Sequence, residues 1–259
     1  HGAPTDVYGR GVTFLDPTKQ VGRGIGCGAR IRNHGRPFAE TLNEERGAWR
    51  GTRTLMPGNN AFWQTASSKA WVLHPATLPS MRMAKRKNLR IACIVDSAAP
   101  GTPFSVKDSN PDERKAWDAL LNRGEPVVTV LANSERRILV DLGDYCCAYY
   151  RLRCEGSVDA RIAVSWAERL SVRPDAPEAA DERLIIDGRF FVGVSDHFAP
   201  TDEETACYEP LWWQAGRWVQ ISARTNDSPL RIEGFDVLET GYPFENESFF
   251  DSDDNILNT

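Results

Sequence analysis

Residues Tyr208 to Asn258 read YEPLWWQAGRWVQISARTNDSPLRIEGFDVLETGYPFENESFFDSDDNILN. Trp218, Gln220, Ser222 and Arg224 alternate with Arg217, Val219, Ile221 and Ala223, the period of two expected of a half-buried strand. Asn226-Asp227-Ser228-Pro229 is dense in turn formers and predicts a hairpin connection. Leu230, Ile232, Phe235, Val237 and Leu238 supply the returning strand, with a bulge expected at Gly234. Tyr242-Pro243 ends it, because a residue before proline avoids the helical region. Ser252 followed by Asp253, Asp254, Asn255, Ile256 and Leu257 predicts a helix opening, a hydroxyl cap beside acids that suit the positive end of a helix dipole.

Working outward, the same rhythm recurs. Strands are expected over 89–95, 127–131, 137–142, 148–154, 160–166, 184–186 and 190–194, with turn signals between them, the pattern of an antiparallel sandwich. One helix stands out at Asp112–Arg123. Asn110 or Asp112 can cap it, Gly124 stops it, and Ala116, Trp117, Leu120 and Leu121 share a face. The polar, proline-bearing loop Ser171–Arg183 is expected to be mobile. The fold class is therefore mainly β: an antiparallel β-sandwich of jelly-roll or lectin-like type with one short helix and a loop-rich N-terminal module. The expected division is a loop-rich N-terminal part at 1–95, a connecting segment at 96–125 with its helix at 112–123, the sandwich at 126–243, and a linker with a helix start at 244–259.

Composition narrows the function classes. A hydrophobic share of 41% supports a real core, and 16 prolines with 20 glycines favour many short elements. No run approaches eighteen apolar residues, so no membrane span is expected, and no charged-then-apolar leader is visible, which leaves cytoplasm and periplasm both open. Residues 1–95 hold 15 Lys and Arg against 5 Asp and Glu, and the remainder holds 16 against 31. The basic residues mark no nucleic-acid motif, and no nucleic acid is expected as a partner. Six cysteines, at 27, 93, 146, 147, 154 and 207, do not make paired CxxC units, so buried thiols are expected rather than zinc. Gly22–Gly28 (GRGIGCG) lacks the strand before and the long helix after that a dinucleotide loop requires. Asp251, Asp253, Asp254 and Asn255 do not follow calcium-loop spacing. His1 has no second histidine at a telling distance in sequence, and no GxSxG is present. No cofactor or metal is expected.

The segments LWWQAGRWVQI (211–221), PLRIEGFDVLETGYPFENESFF (229–250) and SDDNILN (252–258) resemble the junction before the catalytic barrel of bacterial α-L-rhamnosidases, glycoside hydrolase family 78. Upstream, WVLHPATLPSM (71–81), RILVDLGDYCCAYYRLRCEG (137–156), ARIAVSWAERL (160–170) and DGRFFVGVSDHFAP (187–200) are similar to that family in the same order. The resemblance implies β-sandwich modules followed by an (α/α)6 barrel that carries the paired carboxylates removing terminal α-L-rhamnose with inversion, the chain ending where that barrel would begin. It implies no catalytic residue in this chain, and as partners the barrel of the same parent protein and a rhamnose-containing glycan.

Inverting glycosidases hold two carboxyl groups about 6.5–9.5 Å apart, and Glu168, Asp187, Asp196, Asp202, Glu203 and Glu204 are available without a pairing that sequence establishes. The candidates for carbohydrate binding are Trp212 and Trp213, one expected to face inward and one outward if on a strand, and the Asp196-His197 pair in the loop 193–200. The alternative roles are packing against a neighbouring module for the tryptophans and loop ordering for Asp196 and His197.

Overall fold

The structure, a computed structural model, describes residues 8–9, 12–15 and 30–32, and then 77–258 apart from 97–100, 109, 159, 176–182, 201–204, 211, 246 and 255. Strands β1 (Tyr8–Gly9), β2 (Val12–Leu15) and β3 (Arg30–Arg32) form a small antiparallel sheet. Most of the loop-rich N-terminal part, the glycine run Gly22–Gly28 within it, and most of the Ser171–Arg183 loop lie outside the described residues.

The remaining strands are β4 (Arg82–Lys85), β5 (Arg90–Val95), β6 (Val128–Val130), β7 (Glu135–Glu155), β8 (Arg161–Ala167), β9 (Val194–Phe198), β10 (Ala206–Tyr208), β11 (Gln214–Arg224) and β12 (Leu230–Gly241). They join into one antiparallel sheet of nine strands ordered β4-β12-β7-β11-β8-β9, with β5 and β10 also on β7 and β6 on β12. Strands β4 and β5 thus belong to the sandwich, although the sequence places them before it.

Strand β7 organises the fold. The sequence suggests two strands, 137–142 and 148–154, with a turn between; the structure joins them into one of 21 residues. Gly143 takes φ 84°, and the register jumps from Gly216↔Cys146 to Trp218↔Asp141, so four residues of β7 bulge against one of β11. The bulge redirects the strand without ending it. The first half of β7 pairs with β5 and β11, the second with β10 and β12, and β11 runs past the bulge to pair with Cys146, Cys147 and Ala148 as well.

The sheet curls over its own inner face. Ile138, Val140 and Leu142 from the first half of β7, Ala148, Tyr150, Leu152 and Cys154 from the second, and Val164, Trp166, Val219, Ile221, Ile232, Phe235 and Val237 form one buried cluster. The Tyr150 ring lies 5.6 Å from Phe235 on β12 and 6.4 Å from Trp166 on β8, so side chains of the two halves meet across the core. Each such aliphatic or aromatic side chain contributes about 1.5–3 kcal/mol of hydrophobic stabilisation. A second cluster, Ala92, Cys93, Val95, Phe104, Leu139, Leu170 and Trp218, covers part of the outer face beneath the loops that carry Ile186 and Phe191.

The helix α1 (Pro111–Arg123) forms where the sequence expects it. The Asn110 side chain accepts hydrogen bonds from the Asp112 and Glu113 amides, and Gly124, in the left-handed conformation, donates its amide to the Leu120 carbonyl. Trp117, Leu120 and Leu121 are buried in the core cluster. The helix also seals the open edge of β5: Asp118 accepts from the Ile91 amide, and the Asn122 amide group bridges the Leu89 N–H and C=O.

Two expected strands are corrected. Leu184–Ile186 forms no strand, because its apolar side chains have no ladder partner to align with; Leu184 lies in a turn and is exposed, while Ile186, in irregular chain, packs on the outer cluster. The strand expected at 190–194 begins only at Val194, since Phe190 makes a single bridge to Ser171. Gly193 then runs so close to β8 that a Cβ would sit 2.1 Å from the Trp166 carbonyl oxygen. At the far end β12 stops at Gly241, before Tyr242-Pro243. The expected helix opening forms one turn: Ser252 Oγ accepts from the Asp254 amide and the Leu257 amide donates to the Asp254 carbonyl.

Candidate functional site

Trp212 and Trp213 do not alternate. They precede β11, in the connection from β10, so the two-faced geometry of a strand does not apply to them. Their rings stack on each other, centroids 6.0 Å apart and planes inclined by 30°. Trp212 is 48% exposed and Trp213 half-buried, which leaves an indole surface open at this end of the sandwich.

Asp196 and His197 lie on β9 rather than in a loop and therefore point to opposite faces. Asp196 turns inward, opposite Val164, and its Oδ2 accepts a hydrogen bond from Tyr150 Oη at 3.1 Å. Burial pushes the Asp196 carboxyl above its ordinary range, against the opposing pull of hydrogen bonds from Tyr150 and Gln214 and of the His197 charge. Burial, reinforced by the Asp196 charge, likewise pushes the Tyr150 and Tyr208 hydroxyls up. Gln214 directly follows Trp213, so the Asp196–Tyr150–Gln214 cluster is one residue from the stacked tryptophans. Tyr150, Tyr208 and Gln214 are invisible to sequence reading as partners of Asp196, because only the register of β7, β9, β10 and β11 brings them together.

His197 is exposed on the outer face. In register it sits beside Ala163 of β8, which is opposite Ser222 of β11. The next row along holds Ser195, Ser165 and Gln220, with Ser195 and Ser165 hydroxyls 2.6 Å apart and Gln220 donating to Ser222 Oγ. This part of the outer face is polar and built of short side chains. At its end Arg161 stands directly opposite Arg224, and these two with Ala199 and Asn226 line an open cleft of about 490 Å³. The arginine pair also depends on cross-strand register, and no local motif announces it.

The other carboxylates hold structure. Asp187 accepts from the Val106 amide at 2.7 Å, Glu168 faces Arg183 at 3.9 Å, and Asp254 accepts from the Ile256 amide. Asp202, Glu203 and Glu204 lie outside the described residues. Asp141, 1% exposed, is gripped by Arg217 through two hydrogen bonds of 2.9 and 3.1 Å, by Arg90 at 2.7 Å and by the Gly143 amide. Burial pushes its carboxyl up, but these donors together outweigh burial and hold it below the usual carboxylate range. Among the described residues no group of three or more His, Cys, Asp or Glu side chains is placed to hold a metal. Cys93, Cys146 and Cys154 are buried, and burial lifts the Cys146 thiol to about 11 and the Cys154 thiol to about 12.

No family model matches the chain, and no curated protein does. Among solved structures it is similar to the GH78 family rhamnosidase of Bacillus sp. GL1, at 16% identity and a TM-score of 0.42, covering 58% of this chain and 14% of that one. It is similar to a rhamnosidase from Klebsiella oxytoca at 10% identity and a TM-score of 0.40, covering 62% of this chain and 30% of that one. It is also similar to chitosan-binding module 1 of a Paenibacillus sp. IK-5 chitosanase/glucanase, at 11% identity and a TM-score of 0.32, covering 59% of this chain and 94% of that module. The chain thus spans less than a third of either rhamnosidase.

Proposed function

We propose that this chain is a non-catalytic β-sandwich region of an α-L-rhamnosidase-like glycoside hydrolase, and that it supports a catalytic barrel of the same parent protein. The observation that carries the reading is the apolar surface after β12. Phe249 is 91% exposed and Phe244 84%, and Phe250, Ile256 and Leu257 are exposed in the same segment of chain. Met83, exposed on β4, sits opposite Thr240 of β12 at the same end of the sheet. Apolar side chains concentrated in this way mark a contact surface. The segments that resemble the rhamnosidase family supply β7, β8, β11, β12 and this exit.

The test is hydrolysis of an aryl α-L-rhamnoside by this chain alone. No turnover is expected at high protein concentration. Turnover abolished by Asp196→Asn or Glu168→Gln would overturn the reading and place the chemistry in the sandwich. A second reading, a carbohydrate-binding module for rhamnose-containing glycans, is favoured by the stacked, half-open Trp212–Trp213 pair, with Asp196 one residue away through Gln214 and His197 on the outer face. Aromatic faces pack on the C–H faces of sugar rings, so a rhamnose-containing oligosaccharide would quench tryptophan fluorescence, and Trp212→Ala would remove the quench.

A further inference from the structure

We infer that the cleft at the end of β8, β9 and β11 binds an anionic group of an acidic glycan, a carboxylate or a sulfate, through Arg161 and Arg224; this deepens the carbohydrate reading above and rests on it. Arg161 and Arg224 are paired directly across the antiparallel ladder. Like charges in that position repel and weaken a sheet, and an anion between them relieves the repulsion. Arg224 is partly compensated from its other side, where Glu135 of β7 lies at 3.0 Å. Among the described residues Arg161 makes no ion pair, and the row Arg161–Arg224–Glu135 carries two positive charges and one negative.

The surroundings leave room for a ligand there. The cleft measures about 490 Å³, and its remaining lining is Ala199, whose side chain is a single methyl group, and the polar residue Asn226. Both arginine side chains reach solvent, and guanidinium forks match the planar oxygens of a carboxylate or the oxygens of a sulfate. One row along, His197, Ser222 and Ala163 continue the same face. A sugar whose anionic group is held by the arginines would therefore rest over short polar side chains that can bond its hydroxyls.

The experiment is calorimetric titration of the chain with a galacturonic acid tetrasaccharide, its carboxyl-reduced neutral form and a sulfated oligosaccharide of the same length. Binding of the tetrasaccharide is expected to weaken about tenfold in Arg161→Gln and again on carboxyl reduction, since each removes a charge-assisted hydrogen bond. Tighter binding of the uronate than of the sulfated sugar identifies a carboxylate site, and the reverse a sulfate site. Arg161 is exposed at the first residue of β8, so the variant should keep the parent melting temperature or raise it slightly by relieving the repulsion with Arg224; Arg161→Lys, which retains charge but loses the fork, checks that geometry matters. Equal binding of the neutral and acidic forms, with no effect of Arg161→Gln, would overturn the inference and leave the carbohydrate reading standing. Binding of no oligosaccharide would overturn it too, without touching the docking surface after β12.

Discussion

Two buried or half-buried aspartates show how environment, not residue type, sets the role of a charge. Asp141 is held ionised by Arg217, Arg90 and the Gly143 amide, and Asp196 is pushed toward its neutral form by burial beside Tyr150. The same isosteric change should then have opposite consequences. Asp141→Asn loses charge-assisted bonds at the bulge of β7 and should destabilise by about 2–3 kcal/mol at neutral pH, read as a lower urea midpoint. Because the folded carboxyl of Asp141 titrates below its unfolded value, its contribution is present above about pH 4 and fades as pH falls below that. For Asp196 the sign reverses: its folded carboxyl titrates above the unfolded value, so its stabilisation is full below about pH 4 and is lost as pH rises through the folded value. Asp196→Asn keeps an acceptor for Tyr150 and carries no charge, so at pH 7 it should leave stability unchanged or raise it. A clear loss of stability there would show that the ionised carboxylate is the form the cluster needs.

At the scale of elements, local signals were readable and long-range pairing was not. The helix α1 could be read from Asn110, the Trp117–Leu121 face and Gly124, because cap and stop chemistry is local. The strands β11 and β12 and the turn between them could be read from alternation alone. The continuity of β7 could not, since Gly143 and Asp144 look like a turn until β11 is seen bridging them. Asp196 and His197 were legible as polar residues worth singling out, but their separation onto two faces follows from β9 starting at Val194, four residues later than the pattern around Phe190 suggests. Trp212 and Trp213 show the converse: they adjoin an alternating strand in sequence but stand just before β11, where alternation does not set the direction of a side chain. Two consequences are measurable. Asn122→Ala strips the bridge to Leu89 from the edge of β5 and should cost about 1–2 kcal/mol, with increased aggregation on heating if the helix side chains are what shield that edge. At Gly216 an added Cβ would lie 2.6 Å from the Ala167 carbonyl oxygen, a backbone atom with little freedom to move. Gly216→Ala should therefore destabilise by about 1–3 kcal/mol, and an unchanged denaturation midpoint would mean that the β8–β11 spacing is looser than described.

For the whole molecule, the distribution of apolar surface separates a sheet that is finished from one that needs a neighbour. The inner face is closed by its own two halves, and part of the outer face is covered by Phe104, Leu170, Ile186 and Phe191. The segment after β12 is different: its aromatic rings bury little against the sandwich, the Tyr242 and Phe244 rings touching each other at 4.8 Å. If these side chains serve a contact outside the described fold, removing them should not disturb that fold. The double variant Phe249→Ser with Phe250→Ser should keep the melting temperature of the parent, since exposed positions shift stability by no more than about 0.5 kcal/mol. It should also bind less of a fluorescent apolar dye and stay monomeric to higher concentration. In a chain joined to an (α/α)6 barrel the same pair of changes should lower the barrel's melting temperature while leaving the sandwich transition in place. A drop of several degrees in the isolated sandwich would instead show that Phe249 and Phe250 pack on it, and the docking role assigned to that surface would fall.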